Sequence, residues 1–212
     1  MQSSELSGEV TPQHVSIGGD FARVFDHEDY IAMVNSFDEA SVVLRGHLVL
    51  EEFLNIWSSR ITRTDDLFSG VFVSFKTKLV ISRNLGLSAQ YSDIFDKFNE
   101  VRNRYSHRRK YALELTTLDV LRKKVDALDS DPVLTPCEEF EIFIEGVDSN
   151  NQRRQISHTW ATADTKKRLV VLLVVLVLKL VKWMQLEFNA RDIPYNLVVW
   201  PARSTAIDNN CI

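Results

Sequence analysis

In the stretch VRNRYSHRRK, residues 101–110, the cations Arg102, Arg104, Arg108, Arg109 and Lys110 crowd around His107. Arginine presents a planar fork of donors that matches phosphate oxygens. Histidine, whose reference pKa is about 6.5, takes up or releases a proton near neutrality. Together such groups could cleave RNA without a metal ion. One assists the ribose 2′-hydroxyl in attacking the adjacent phosphorus, another protonates the departing 5′-oxygen, and arginine neutralises the charge that develops on phosphate. A single histidine leaves the acid–base set incomplete, and a two-fold dimer would bring a second copy.

The same residues admit plainer accounts. On a helix Phe98, Arg102 and Tyr105 are four and three apart, which sets Arg102 beside an apolar stripe, where it could pair with Glu51 or Glu52. His107 could be a helix-end histidine favoured by the macrodipole, and Arg108 to Lys110 a solvated end. The arginines could also hold a nucleotide phosphate without cleaving it. Other chemistry has no foothold: the sequence contains no HExxH, Walker loop or GxGxxG pattern. Its five histidines show no ligand spacing, and Cys137 and Cys211 form no CxxC pair. Neither a metal nor a cofactor is expected.

The elements that must position these residues follow from periodicity. Residues 1–36 are polar and acidic, with six acids against Arg23 alone, and read as a flexible N-terminal arm. The whole chain of 212 residues carries −4, so the remainder carries +1 and can bear a local basic site. Ser36 and Glu39 have the spacing of a capping box, predicting a helix from about 37 to 60. His47 and Glu51 fall beside its inward seam. Further helices are predicted over 74–85, stopped by Gly86, over 92–106 and over 117–128. A breaker-rich link covers 129–136, and a small β-hairpin is expected within 137–160. The last helix, about 164–188, is apolar nearly all round. Its uninterrupted apolar run, 169–178, is half of what a membrane span requires, and Lys179 and Lys182 follow. It therefore reads as a buried helix in a cytoplasmic protein, with surface to spare for a homodimer contact. Residues 189–212 read as an extended tail. The fold class is all-α, an antiparallel helical bundle spanning 37–188 with a β-hairpin insertion.

Arg102-Asn103-x-x-x-His107, on the third of these helices and followed by basic residues, resembles the R-x4-6-H motif of the HEPN superfamily. RGHLVLEEFL in the first helix and FKTKLVISRNLGL before the motif resemble the branch related to mannitol operon repressors. The resemblance covers about residues 38–128. It implies a helical, dimeric, metal-independent endoribonuclease of the toxin–antitoxin or phage-defence kind, with Arg102, Asn103 and His107 as its catalytic residues. Arg104, Arg108, Arg109 and Lys110 would bind RNA, with Glu51, Glu52 and His47 in support and an antitoxin or regulatory protein as a possible partner. Members of the repressor-related branch often lack the catalytic pair and act through protein contacts. This chain retains both residues.

Overall fold

A computed structural model of the chain describes residues 19–108, 110–128, 134–147 and 152–195. Residues 1–18 of the expected arm, Arg109, most of the 129–136 link, residues 148–151 and the part of the expected tail beyond 195 lie outside the described residues. What is described is helical apart from one two-stranded hairpin. Its elements are α1 (His27–Asn35), α2 (Glu39–Thr62), α3 (Phe75–Asn84), α4 (Ala89–His107), α5 (Leu115–Asp126), β1 (Glu141–Val147), β2 (Arg153–Thr159) and α6 (Thr165–Ala190).

The segment from Gly19 onward departs from the expected arm. Gly19–Phe25 forms a 3-10 helix and α1 follows, started by Asp26, whose carboxylate accepts from Glu28 N at 3.0 Å. Phe21, Val24 and Met33 are fully buried, and Tyr30 Oη donates to Val24 O at 2.8 Å. Three apolar side chains among many acids gave too little periodicity to be legible, yet burying each stabilises the fold by about 1.5–3 kcal/mol.

The start of α2 also differs in mechanism. Asp38, not Ser36, caps it, accepting from Ser41 N at 2.7 Å. Glu39 is thereby released to accept from Tyr105 Oη of α4 at 2.5 Å and from Leu113 N, in the link before α5, at 3.0 Å. Gly86 does end α3 as the sequence indicates: its φ is 93°, and Leu87 N returns to Ser82 O at 2.9 Å.

The helices α2 and α4 run antiparallel, with Glu39 against Tyr105 and His47 against Asn99. Helices α4 and α5, joined by a short link, do likewise, with Asp93 paired to Lys124. Helices α3 and α4 are antiparallel as well, with Lys76 paired to Asp96, but α2 and α3 are not. His47 lies on Phe75, Glu51 on Lys78 and Ser58 on Ser82, so α3 runs in the same direction as α2. The long loop 63–74 makes this possible by carrying the chain back along α2 before α3 begins; a short loop would have forced a hairpin. Helix α6 also runs with α2, since Lys166 bonds Ser36 O at one end and the tilted rings of Trp183 and Trp57 meet at 4.8 Å at the other. At Gly46 a Cβ would come within 2.5 Å of Leu173, so glycine sets the closeness of that crossing.

Helix α6 has the length and apolarity of a membrane span, but most of its apolar window is buried inside the protein, as in the core helix of a soluble fold. The hairpin pairs Glu141 with Thr159 through Val147 with Arg153. It is moored by Trp160, whose ring lies against the guanidinium groups of Arg122 and Arg168 at 5.7 and 5.8 Å.

Candidate functional site

Helix α4 carries the candidate residues on its C-terminal half, and α2 with α3 form the wall behind it. Successive helical residues advance about 100°, so Asn99, Arg102, Asn103 and Ser106 form one polar row beside the stripe of Phe95, Phe98 and Val101 that fills the core. Arg102 is partly buried. Its Nη1 donates to Asn103 Oδ1 at 3.1 Å, while its buried Nε has no acceptor.

His47 projects from α2 into this row. It is only 6% exposed, its ring lies 4.2 Å from that of Phe75, and its Nε2 is 3.2 Å from Asn99 Oδ1. An amide oxygen only accepts, so Nε2 carries the proton. Burial holds the imidazole pKa below its ordinary value of 6.5; the hydrogen bond His47 donates to Asn99 opposes this, the charge of Arg102 adds to it, and that of Glu51 opposes it.

The two supporting glutamates have other partners. Glu51 pairs with Lys78 at 2.8 Å, whose Nζ also donates to Asn55 Oδ1 at 3.0 Å. Glu52 lies round the helix, 3.6 Å from Arg23 and accepting from Asn55 at 3.0 Å, on the wall of a separate cleft of about 360 Å³. Neither glutamate bonds Arg102, which has no carboxylate partner among the described residues. The ion pair expected from sequence fails because Lys78, one turn into α3, reaches Glu51 first. Glu51 acts on the row only through its charge on His47.

His107 is exposed at the last position of α4, which continues through it rather than ending at Ser106. Five residues on from Arg102, it therefore sits about 140° further round the helix. Within one chain the two do not share a face, and Asn103, bonded to Arg102 and one turn before His107, lies between them. Arg108 leaves the helix in extended conformation (φ −121°, ψ 110°), its N–H still on Arg104 O at 3.0 Å. Arg108 and Lys110 are exposed and Arg104 partly buried.

Sequence reasoning missed Asn99 and Lys78. Asn99 had a signal, since it stands four residues before Asn103 on the same face. Lys78 had none, because its role depends on the parallel course of α3. Among the described residues no three His, Cys, Asp or Glu side chains gather as a metal site. The chain matches no family model, no curated protein and no solved structure.

Proposed function

We propose that this chain is a HEPN-type endoribonuclease that cleaves RNA without a metal ion, in the manner of a toxin or phage-defence effector. The observation that carries the reading is Arg102: a partly buried guanidinium with no carboxylate partner among the described residues, held by Asn103 one turn before an exposed histidine. Cations that serve only stability are paired when withdrawn from water. A guanidinium left open suits an anion supplied from outside, and a phosphodiester is the anion that an adjoining proton carrier can use.

In this reading a nonbridging phosphate oxygen takes the Nη donors of Arg102. The 2′-oxygen loses its proton to one acid–base group as it bonds to phosphorus. The P–O5′ bond breaks, and a second group gives the 5′-oxygen a proton. The products are a 2′,3′-cyclic phosphate and a 5′-hydroxyl. Because Arg102 and His107 lie on different sides of α4, a second copy related by a two-fold axis supplies the second histidine. Arg104, Arg108, Arg109 and Lys110 attract the strand.

A second reading, a silent HEPN-like regulator acting through protein contacts, draws on exposed Leu44 and Leu48 of α2 and on Val71 and Phe72 before α3. Mixed cellular RNA incubated with the full chain in EDTA separates the two. Cleavage by the wild type, lost by about 10²–10⁴-fold in His107→Ala, supports the nuclease. Equal cleavage by both proteins rejects the site, and none by either moves the assignment to the regulator.

A further inference from the structure

Opposite the Arg102 row, α4 and α5 leave an open groove of about 210 Å³. Its floor is apolar, made by Val101 and Leu121, both buried, with the half-exposed Val120 beside them. Its rim is polar. Thr117 and Thr116 stand in the first turn of α5, and Arg104 faces them from α4. Glu100, paired with Lys97 at 2.8 Å, closes the other end. No side chain caps α5, so its first-turn amides are also donors without an intrahelical partner.

From this arrangement we infer that the groove is a subsite for one unpaired nucleobase of the RNA, next to the phosphate that is cut. The inference rests on the nuclease reading for its substrate, and on the groove for its location. An apolar slot edged by hydroxyls, a guanidinium and a carboxylate matches the chemistry of a base: an apolar face with donors and acceptors around its edge. Position agrees. Arg104 precedes His107 by three residues, about 60° round the helix and one turn below it. A strand crossing the end of α4 meets Arg102 and Asn103, then His107, then Arg104, which delivers the adjoining base to the groove. The basic 102–110 stretch supplies the charge that holds the backbone there.

The role of such a subsite is nucleotide preference, and two measurements test it. In the first, cleavage sites of the wild type on a randomised RNA pool are sequenced beside those of Thr117→Phe, which fills the groove. The wild type should favour particular bases by about tenfold at one position flanking the cut, the scale of one or two hydrogen bonds. Thr117→Phe should flatten that preference. In the second, fluorescence anisotropy follows binding of the uncleaving His107→Ala chain to short RNAs with one abasic nucleotide at each position in turn. One position should cost about tenfold in affinity, and the double variant His107→Ala/Thr117→Phe should lose that dependence. Arg104→Gln, on the facing wall, gives the same comparison if circular dichroism shows Thr117→Phe unfolded. Unchanged preference and unchanged abasic dependence in a folded variant overturn the subsite, as does failure of His107→Ala to bind the RNAs. If the wild type cleaves nothing, the nuclease reading falls while the abasic series still decides the groove.

Discussion

Two cations withdrawn from water are treated in opposite ways at the two ends of this molecule. Lys179, in the middle of α6, is 3% exposed, and its Nζ donates to Val125 O at 2.9 Å, Asp126 O at 3.3 Å and Leu128 O at 3.4 Å. It closes the C-terminus of α5, where carbonyls lack helical partners and the macrodipole favours a positive charge. Near it Arg122 is ringed by Asp119, Asp126 and Glu138. Both Arg122 and Arg102 keep a buried Nε without a hydrogen-bond partner, but among the described residues Arg102 has only the amide oxygen of Asn103 and no carboxylate. The fold thus saturates a lysine whose role is structural. It leaves Arg102 with a single amide partner and no carboxylate among the described residues.

The largest stability effect expected is at the saturated cation. Lys179→Ala should cost about 2–5 kcal/mol, since it removes the stem's packing and the ammonium that three carbonyls share. Lys179→Met keeps the stem and should cost less, because burial already disfavours the ammonium and lowers its pKa. Urea unfolding of both variants gives the two numbers. A Met variant at least as stable as the wild type would mean that the lysine is also a liability, and the contrast with Arg102 would collapse.

At the open cation, activity and stability should separate. Arg102→Ala should slow RNA cleavage by an amount equivalent to about 3–4 kcal/mol of barrier, while denaturation shifts by no more than about 1 kcal/mol. A loss of stability as large as that for Lys179→Ala would show that Arg102 is a structural cation after all. Arg108→Ala tests the strand-holding role: RNA binding should weaken, and the slope of log affinity against log salt should fall by about one phosphate contact. An unchanged slope would place Arg108 off the path of the strand.

The sequence carried this contrast unevenly. Arg102, Asn103 and His107 stood out because three residue types suited to phosphate and proton chemistry fall within six positions, and Gly86 marked the end of α3. Helices α2 and α6 were legible from their long apolar patterns. What remained hidden depends on distant segments meeting. Lys179 read as an interruption of an apolar run, since its partners are main-chain carbonyls of α5 and no side chain pairs with it. The association of Glu51 with Lys78 requires α3 to run parallel to α2, and that follows from the loop 63–74, whose path has no residue-by-residue signature. Phe21, Val24 and Met33 pack the N-terminal segment onto the body, but three apolar residues among acids form no period.

The smallest effect expected is the most specific to the comparison, because it reads the uncompensated charge of Arg102 through its neighbour. His47 is held neutral first by burial, with Arg102 adding to the effect, while the Asn99 hydrogen bond and the Glu51 charge resist it. Lys78, from α3, partly offsets Glu51 by pairing with it. With the folded pKa below 6.5, both folded and unfolded chains carry neutral His47 above that pH, and its contribution to stability is then complete. As pH falls below 6.5 the unfolded chain takes a proton that the folded chain refuses, so stability is lost until the folded value is passed. The slope this adds can reach about 1.4 kcal/mol per pH unit, the limit for a single proton. His47→Gln should abolish that part of the acid branch in urea titrations between pH 7 and 5. His158, also lowered by its surroundings, titrates alike in both proteins and cancels in the difference. Arg102→Ala, by removing one of the two lowering influences, should make the slope shallower without abolishing it. Identical acid branches in wild type and Arg102→Ala would mean that the Arg102 charge is neutralised where it stands, and the open guanidinium on which the nuclease reading rests would be closed.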